Sequence, residues 1–88
     1  MKVIQKYKLR QVCRQSIDMP VGADILNLQI QNSEVTIWVA VPKNAKLEIK
    51  TFKTFSTGEN IDDYDKLKYV GTYQMPTLSV WHVFVDKI

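Results

Sequence analysis

The run at residues 78–85, Leu-Ser-Val-Trp-His-Val-Phe-Val, restricts this chain more than any other stretch. Alternate side chains of a strand point to opposite faces. One face of the run carries Leu78, Val80, His82 and Phe84, and the other carries Ser79, Trp81, Val83 and Val85. A small domain has one core, so one of these faces turns inward and the other needs a separate cover. The chain has only 88 residues, and little of it is spare for covering. A second copy of the chain is the expected cover, which makes the protein a homo-oligomer.

The rest of the chain alternates in the same way. Residues 3–9 set Val3, Gln5, Tyr7 and Leu9 against Ile4, Lys6 and Lys8, a strand with one wet face. Gln15, Ile17 and Met19 continue the alternation up to a turn at Met19-Pro20-Val21-Gly22. Residues 25–31 place Leu26, Leu28 and Ile30 on one face, and residues 35–41 place Val35, Ile37, Val39 and Val41 together. The intervening Asn32-Ser33 suits a two-residue hairpin turn, because Asn tolerates the left-handed region. Residues 47–55 form a strand whose apolar period shifts between Ile49 and Phe52, as a bulge would cause. Residues 60–66 are an acidic loop with one helical turn expected after Asp62. Residues 67–74 form a further strand with Gly71 inside it, a mark of a bulge or of close approach by another group.

No stretch has helical period over eleven residues. Six to seven short strands separated by turns predict an all-β, single-domain antiparallel sandwich or partly open barrel spanning residues 1–88. Such a chain buries roughly 60–65% of its unfolded surface, so association would add usefully to its stability. No apolar run approaches the roughly 20 residues of a membrane helix, and the basic start lacks the apolar stretch of a signal peptide. Cys13 is the single cysteine and has no internal partner. A cytoplasmic location, with no membrane contact, is the expectation.

Twelve Lys and Arg against nine Asp and Glu leave a net charge of +3. Lys2, Lys6, Lys8, Arg10 and Arg14 all precede the first acid, whereas Glu59, Asp62, Asp63 and Asp65 crowd one loop. A basic first strand suits a phosphate-bearing partner, although a solvated outer face accounts for scattered surface charge equally well. One His and one Cys cannot supply the three or four ligands of a zinc site. The acidic loop lacks the ligand order of a calcium hand. Nothing in the spacing joins a nucleophile, a base and an orienting acid, so neither an enzyme nor a metal or other cofactor is expected.

The order Lys6-Tyr7-x-Leu9, Ile17-x-Met19-Pro20-x-Gly22-Ala23-x-Ile25-Leu26, Gln29-x-Gln31-Asn32, Trp38-x-x-Val41, Thr51-Phe52, Thr57-Gly58, Tyr69-Val70-Gly71-Thr72-x-Gln74 and Trp81-His82-Val83-Phe84 spans nearly the whole chain. It resembles a widespread group of small tailed-bacteriophage proteins. This chain departs from that group's usual Gly-Thr-Gly by having Ser56 before Thr57-Gly58. Members of the group are immune-evasion sponges that bind cyclic nucleotide signals of bacterial defence systems such as CBASS without cleaving them. The resemblance implies a homo-oligomer in the host cytoplasm that holds a cyclic dinucleotide such as cGAMP, in pockets where subunits meet.

For such a ligand, Trp38 and Trp81 are the expected stacking residues. Ser56, Thr57, Gly58 and Thr72 are expected at the phosphates, Gln29, Gln31 and His82 at the polar edges, and Lys6 and Arg10 as the compensating charge. The alternative is a phage accessory protein that binds a host protein through an exposed strand edge or apolar patch. Non-specific nucleic-acid binding is disfavoured, because the net charge is weak and the aromatic-basic motif of RNA-binding sheets is missing.

Overall fold

The computed structural model describes residues 1–87 as seven strands and one short 3-10 turn. The strands are β1 (Lys2–Leu9), β2 (Arg14–Pro20), β3 (Asp24–Gln31), β4 (Glu34–Pro42), β5 (Leu47–Ser56), β6 (Leu67–Gln74) and β7 (Val80–Asp86), with the turn at Tyr64–Lys66. They form two antiparallel sheets, a three-stranded one in the order β1-β4-β3 and a four-stranded one in the order β2-β5-β7-β6. The all-β sandwich expected from the alternation is the fold observed.

Alternation decides which side chains meet between the sheets. Leu9, Val35, Ile37, Val39, Val41 and Leu28 come from the small sheet. Met19, Phe52, Tyr73, Val83 and Val85 come from the large one. Phe52, Met19, Ile37 and Val39 are wholly buried. The β3–β4 hairpin closes through Asn32 and Ser33 at φ 52° and 66°, the left-handed pair that a primed two-residue turn requires. Gly22 takes φ +86° as Ala23 N–H reaches back to the Pro20 carbonyl at 3.1 Å.

Gly71 does what its position in a strand suggested. The register of β6 on β7 shifts between Tyr69 and Gly71. An added Cβ there would lie 2.9 Å from Leu28 Cβ. The missing side chain is what lets the β6 edge close onto the β3 edge and seal that side of the sandwich.

Four expectations are corrected. The last strand begins at Val80, because Leu78 sits in a turn at φ +71° and is 75% exposed. The β5 ladder runs without a shift opposite β2. Ile49 simply lies on the outer face, 66% exposed, so no bulge is needed to explain the change of period. The bulge falls in β3 instead, between Ile25 and Asn27, which turns Leu26 out to 50% exposure and leaves Ile25 and Leu28 on the core side.

The fourth correction concerns the covering of β7. Trp81, Val83 and Val85 face the small sheet. Phe84, on the opposite face, is only 6% exposed in a single copy. Its cover is Phe55 at 5.8 Å, Tyr69 at 5.5 Å and Tyr64 at 6.1 Å, all edge-to-face. Tyr64 arrives on the 3-10 turn of the acidic loop. The chain therefore supplies its own cover, and the second apolar face of β7 gives no reason for a partner.

Candidate functional site

The residues expected around a nucleotide divide between opposite outer faces of the sandwich. Lys6, Trp38, Gln29 and Gln31 lie on the outer face of the small sheet. Thr57, Thr72 and His82 gather on the outer side of the large one, with Gly58 in the turn after β5. Ser56 instead pairs with Trp81 and so shares the inner-face parity of Phe52 and Thr54 at the end of its strand. Arg10 lies just past the end of β1. Trp81 belongs to neither face. It packs against the core and, with Gln11, Val12, Cys13, Thr54 and Tyr73, rims a hollow of about 150 Å³. A stacking role for Trp81 alongside Trp38 in one protomer is excluded by this placement.

On the small sheet, β4 is central, and Trp38 lies between Lys6 of β1 and Asn27 of β3. The indole is half-buried on the side away from the core. Lys6 Nζ stands 5.9 Å from the centroid of its ring, within cation–π range, and donates to Gln31 Oε1 at 3.0 Å. β3 presents Asn27, Gln29 and Gln31 on this face, and β1 presents Lys2, Ile4, Lys6 and Lys8. Lys8 pairs with Glu34 at 3.2 Å and Lys2 donates to the Gly22 carbonyl at 3.1 Å. These exposed contacts are weak and exchange readily with another anion. The face therefore offers an aromatic plane, ammonium groups on one flank and amides on the other.

The outer side of the large sheet is built differently. His82 Nε2 is 2.8 Å from Thr57 Oγ1, and its Nδ1 is 3.0 Å from Thr72 Oγ1. Thr72 Oγ1 in turn hydrogen-bonds the Tyr69 hydroxyl. Cross-strand pairing of Thr72 with His82 holds this chain together. The arrangement satisfies the nucleophile–base part of a hydroxyl–imidazole pair. The group on Nδ1, however, is a hydroxyl and not the carboxylate that would stabilise an imidazolium.

The adjoining 56–59 turn is already occupied. Glu59 Oε1 accepts from Ser56 N–H at 3.0 Å and from the Ser56 hydroxyl at 3.3 Å. A phosphate at Ser56, Thr57 and Gly58 would have to displace that carboxylate. The small-sheet face is thus the better anion surface of the two.

Two polar residues that matter were not singled out in the sequence. Gln15 is 5% exposed. Its Oε1 accepts from Arg10 N–H at 2.9 Å, and its Nε2 donates to the Arg10 carbonyl at 2.8 Å. It pins the corner where the chain passes from one sheet to the other. Asn27 shares the Trp38 face with Gln29 and Gln31, as the alternation of residues 27, 29 and 31 expects, and cross-strand pairing sets it directly opposite the indole.

Among the described residues no group of three or more His, Cys, Asp and Glu could hold a metal, and no helix is long and apolar enough to cross a membrane. Burial raises the Tyr73 hydroxyl above the usual tyrosine range. Neither a curated protein nor a solved structure matches the chain. A family model, a domain of unknown function (DUF7352), matches residues 1–88, and the chain belongs to that family.

Proposed function

We propose that this protein binds a cyclic nucleotide signal without altering it, and so withholds it from the effectors of a bacterial defence system. The observation that carries the reading is Trp38, set in the middle of an open sheet face beneath the Lys6 ammonium and beside Gln31. An indole stacks on any base, and such stacking is worth about 1–3 kcal/mol per base. Lys6, with Lys2 and Lys8 along the same strand, neutralises phosphate, and Asn27, Gln29 and Gln31 meet the polar edges of the base.

Sequestration needs affinity and slow release and no turnover, which suits a face bearing no catalytic constellation. A Kd of about 1 nM corresponds to about −12 kcal/mol, more than one flat face supplies. A second wall, such as another protomer, would complete the enclosure. The phage setting and the choice of a cyclic dinucleotide rest on the family resemblance.

Isothermal titration of the protein with a panel of cyclic dinucleotides and cyclic ADP-ribose species tests the reading. Saturable binding, abolished by Trp38→Ala and followed by recovery of intact ligand, supports it. No heat with any member of the panel ends it. A host-protein partner is the second reading. Leu47, Ile49, Tyr64 and Tyr69, all 56% exposed or more, favour it. It would be preferred if one host protein co-purified at stoichiometric ratio with no nucleotide retained.

A further inference from the structure

The two sheets leave four lateral edges among the described residues: β1 and β3 on the small sheet, β2 and β6 on the large one. An open edge is a row of unpaired N–H and C=O groups, and proteins guard such rows. The β3 and β6 edges guard each other where Gly71 meets Leu28.

The β1 edge is guarded by charge. Lys43 N–H bonds the Met1 carbonyl at 3.4 Å, and β1 stays in one register with β4. Odd residues of β1 therefore form its hydrogen-bonded pairs, and Lys2, Ile4, Lys6 and Lys8 turn their backbone groups outward. Every antiparallel register between two copies of β1 that engages three or more of these residues sets lysine opposite lysine. Like charges directly opposed are destabilising.

The β2 edge has no such guard. Thr54 N–H bonds the Cys13 carbonyl at 2.9 Å, and Val21 N–H bonds the Lys46 carbonyl at 2.7 Å. With the unbroken register of β2 on β5, these bonds leave Arg14, Ser16 and Asp18 with backbone groups directed at open solvent. Consider a second β2 laid antiparallel along this edge about a two-fold axis at Ser16. Ser16 then faces Ser16, and Arg14 faces Asp18 of the second copy, twice. Moving the register two residues one way leaves Asp18 without a cation. Moving it two residues the other way sets Arg14 against Pro20, which has no N–H to give. The two-fold register also brings Pro20 and the exposed Leu47 level with the exposed Val12 of the second copy.

We propose that the β2 edge is where a second copy of this chain docks, joining two four-stranded sheets into one through paired Arg14–Asp18 contacts. The interface is separate from the Trp38 face, and its test involves no nucleotide.

The test is sedimentation velocity of the full chain over a wide concentration range, with Arg14→Asp and Asp18→Arg studied singly and mixed. Both side chains are exposed, so the protomer fold survives either change, as circular dichroism will confirm. The wild type is expected to dimerise. Each single variant weakens dimerisation roughly thirtyfold, because both opposed pairs change sign. An equimolar mixture of the two variants restores it, since each Asp then faces an Arg. A wild type that stays monomeric overturns the proposal. So does an assembly that both reversals leave unchanged, or a mixture that fails to recover.

Discussion

Replacing Gln15 with Met should lower stability by about 2 kcal/mol, although Gln15 touches neither outer face of the sandwich. The amide bonds both backbone groups of Arg10, at 2.9 and 2.8 Å, from a position 5% exposed. Each bond contributes about 0.5–1.5 kcal/mol net. Water can reach Arg10 once the amide is gone, so the penalty for stranding its groups stays at the low end. Methionine fills the same volume with a flexible apolar chain, so no cavity term is added. With a urea m-value of about 1 kcal/mol/M for a chain this small, the midpoint should fall by about 2 M with m unchanged. The melting temperature should fall by about 8–16 °C. A loss below about 0.5 kcal/mol in Gln15→Met would show that the clamp does not hold the corner between the sheets.

Gly71→Ala places a methyl 2.9 Å from Leu28 Cβ; we expect a loss of about 1–3 kcal/mol in denaturant melts, and an unchanged midpoint would contradict the close approach. Phe84→Ala should cost about 3–5 kcal/mol, because Phe55, Tyr64 and Tyr69 cover the ring within one copy; a cost below about 1 kcal/mol would mean that they do not. Tyr73 keeps its proton more tightly folded than unfolded. Its contribution is therefore complete below the unfolded value of about 10 and is lost as pH rises toward the folded one. Tyr73→Phe should accordingly flatten the decline in stability above pH 10, as measured by melts across that range, and an identical decline in both proteins would refute the burial argument.

The strand pattern was legible because strict alternation encodes it directly. Val35, Ile37, Val39 and Val41 read as a core face and are one. Gly71 read as a point of close approach and is one. Errors arose where alternation carries no information about which neighbour lies above a face. Phe84 and its row looked uncovered because Tyr64 comes from an acidic loop with no apolar pattern of its own. Leu26 looked internal because a bulge changes parity without a Gly or Pro to announce it, and Ile49 suggested a bulge only because an exposed isoleucine imitates a core position. The candidate site was half legible. Lys6, Trp38, Gln29 and Gln31 share a face because their strands pair in register, which residue type cannot reveal. Ser56, Thr57 and Gly58 looked like an anion turn until Glu59 was found filling it.

The Trp38 face is tested most directly by fluorescence of the two single-tryptophan proteins, Trp81→Phe and Trp38→Phe, titrated with a cyclic dinucleotide. The indoles report on different parts of the molecule, since Trp38 lies on the open small-sheet face and Trp81 packs against the core. The account predicts saturable quenching of Trp38 in the first protein and little change of Trp81 in the second. Quenching confined to Trp81, or none in either protein, would contradict it.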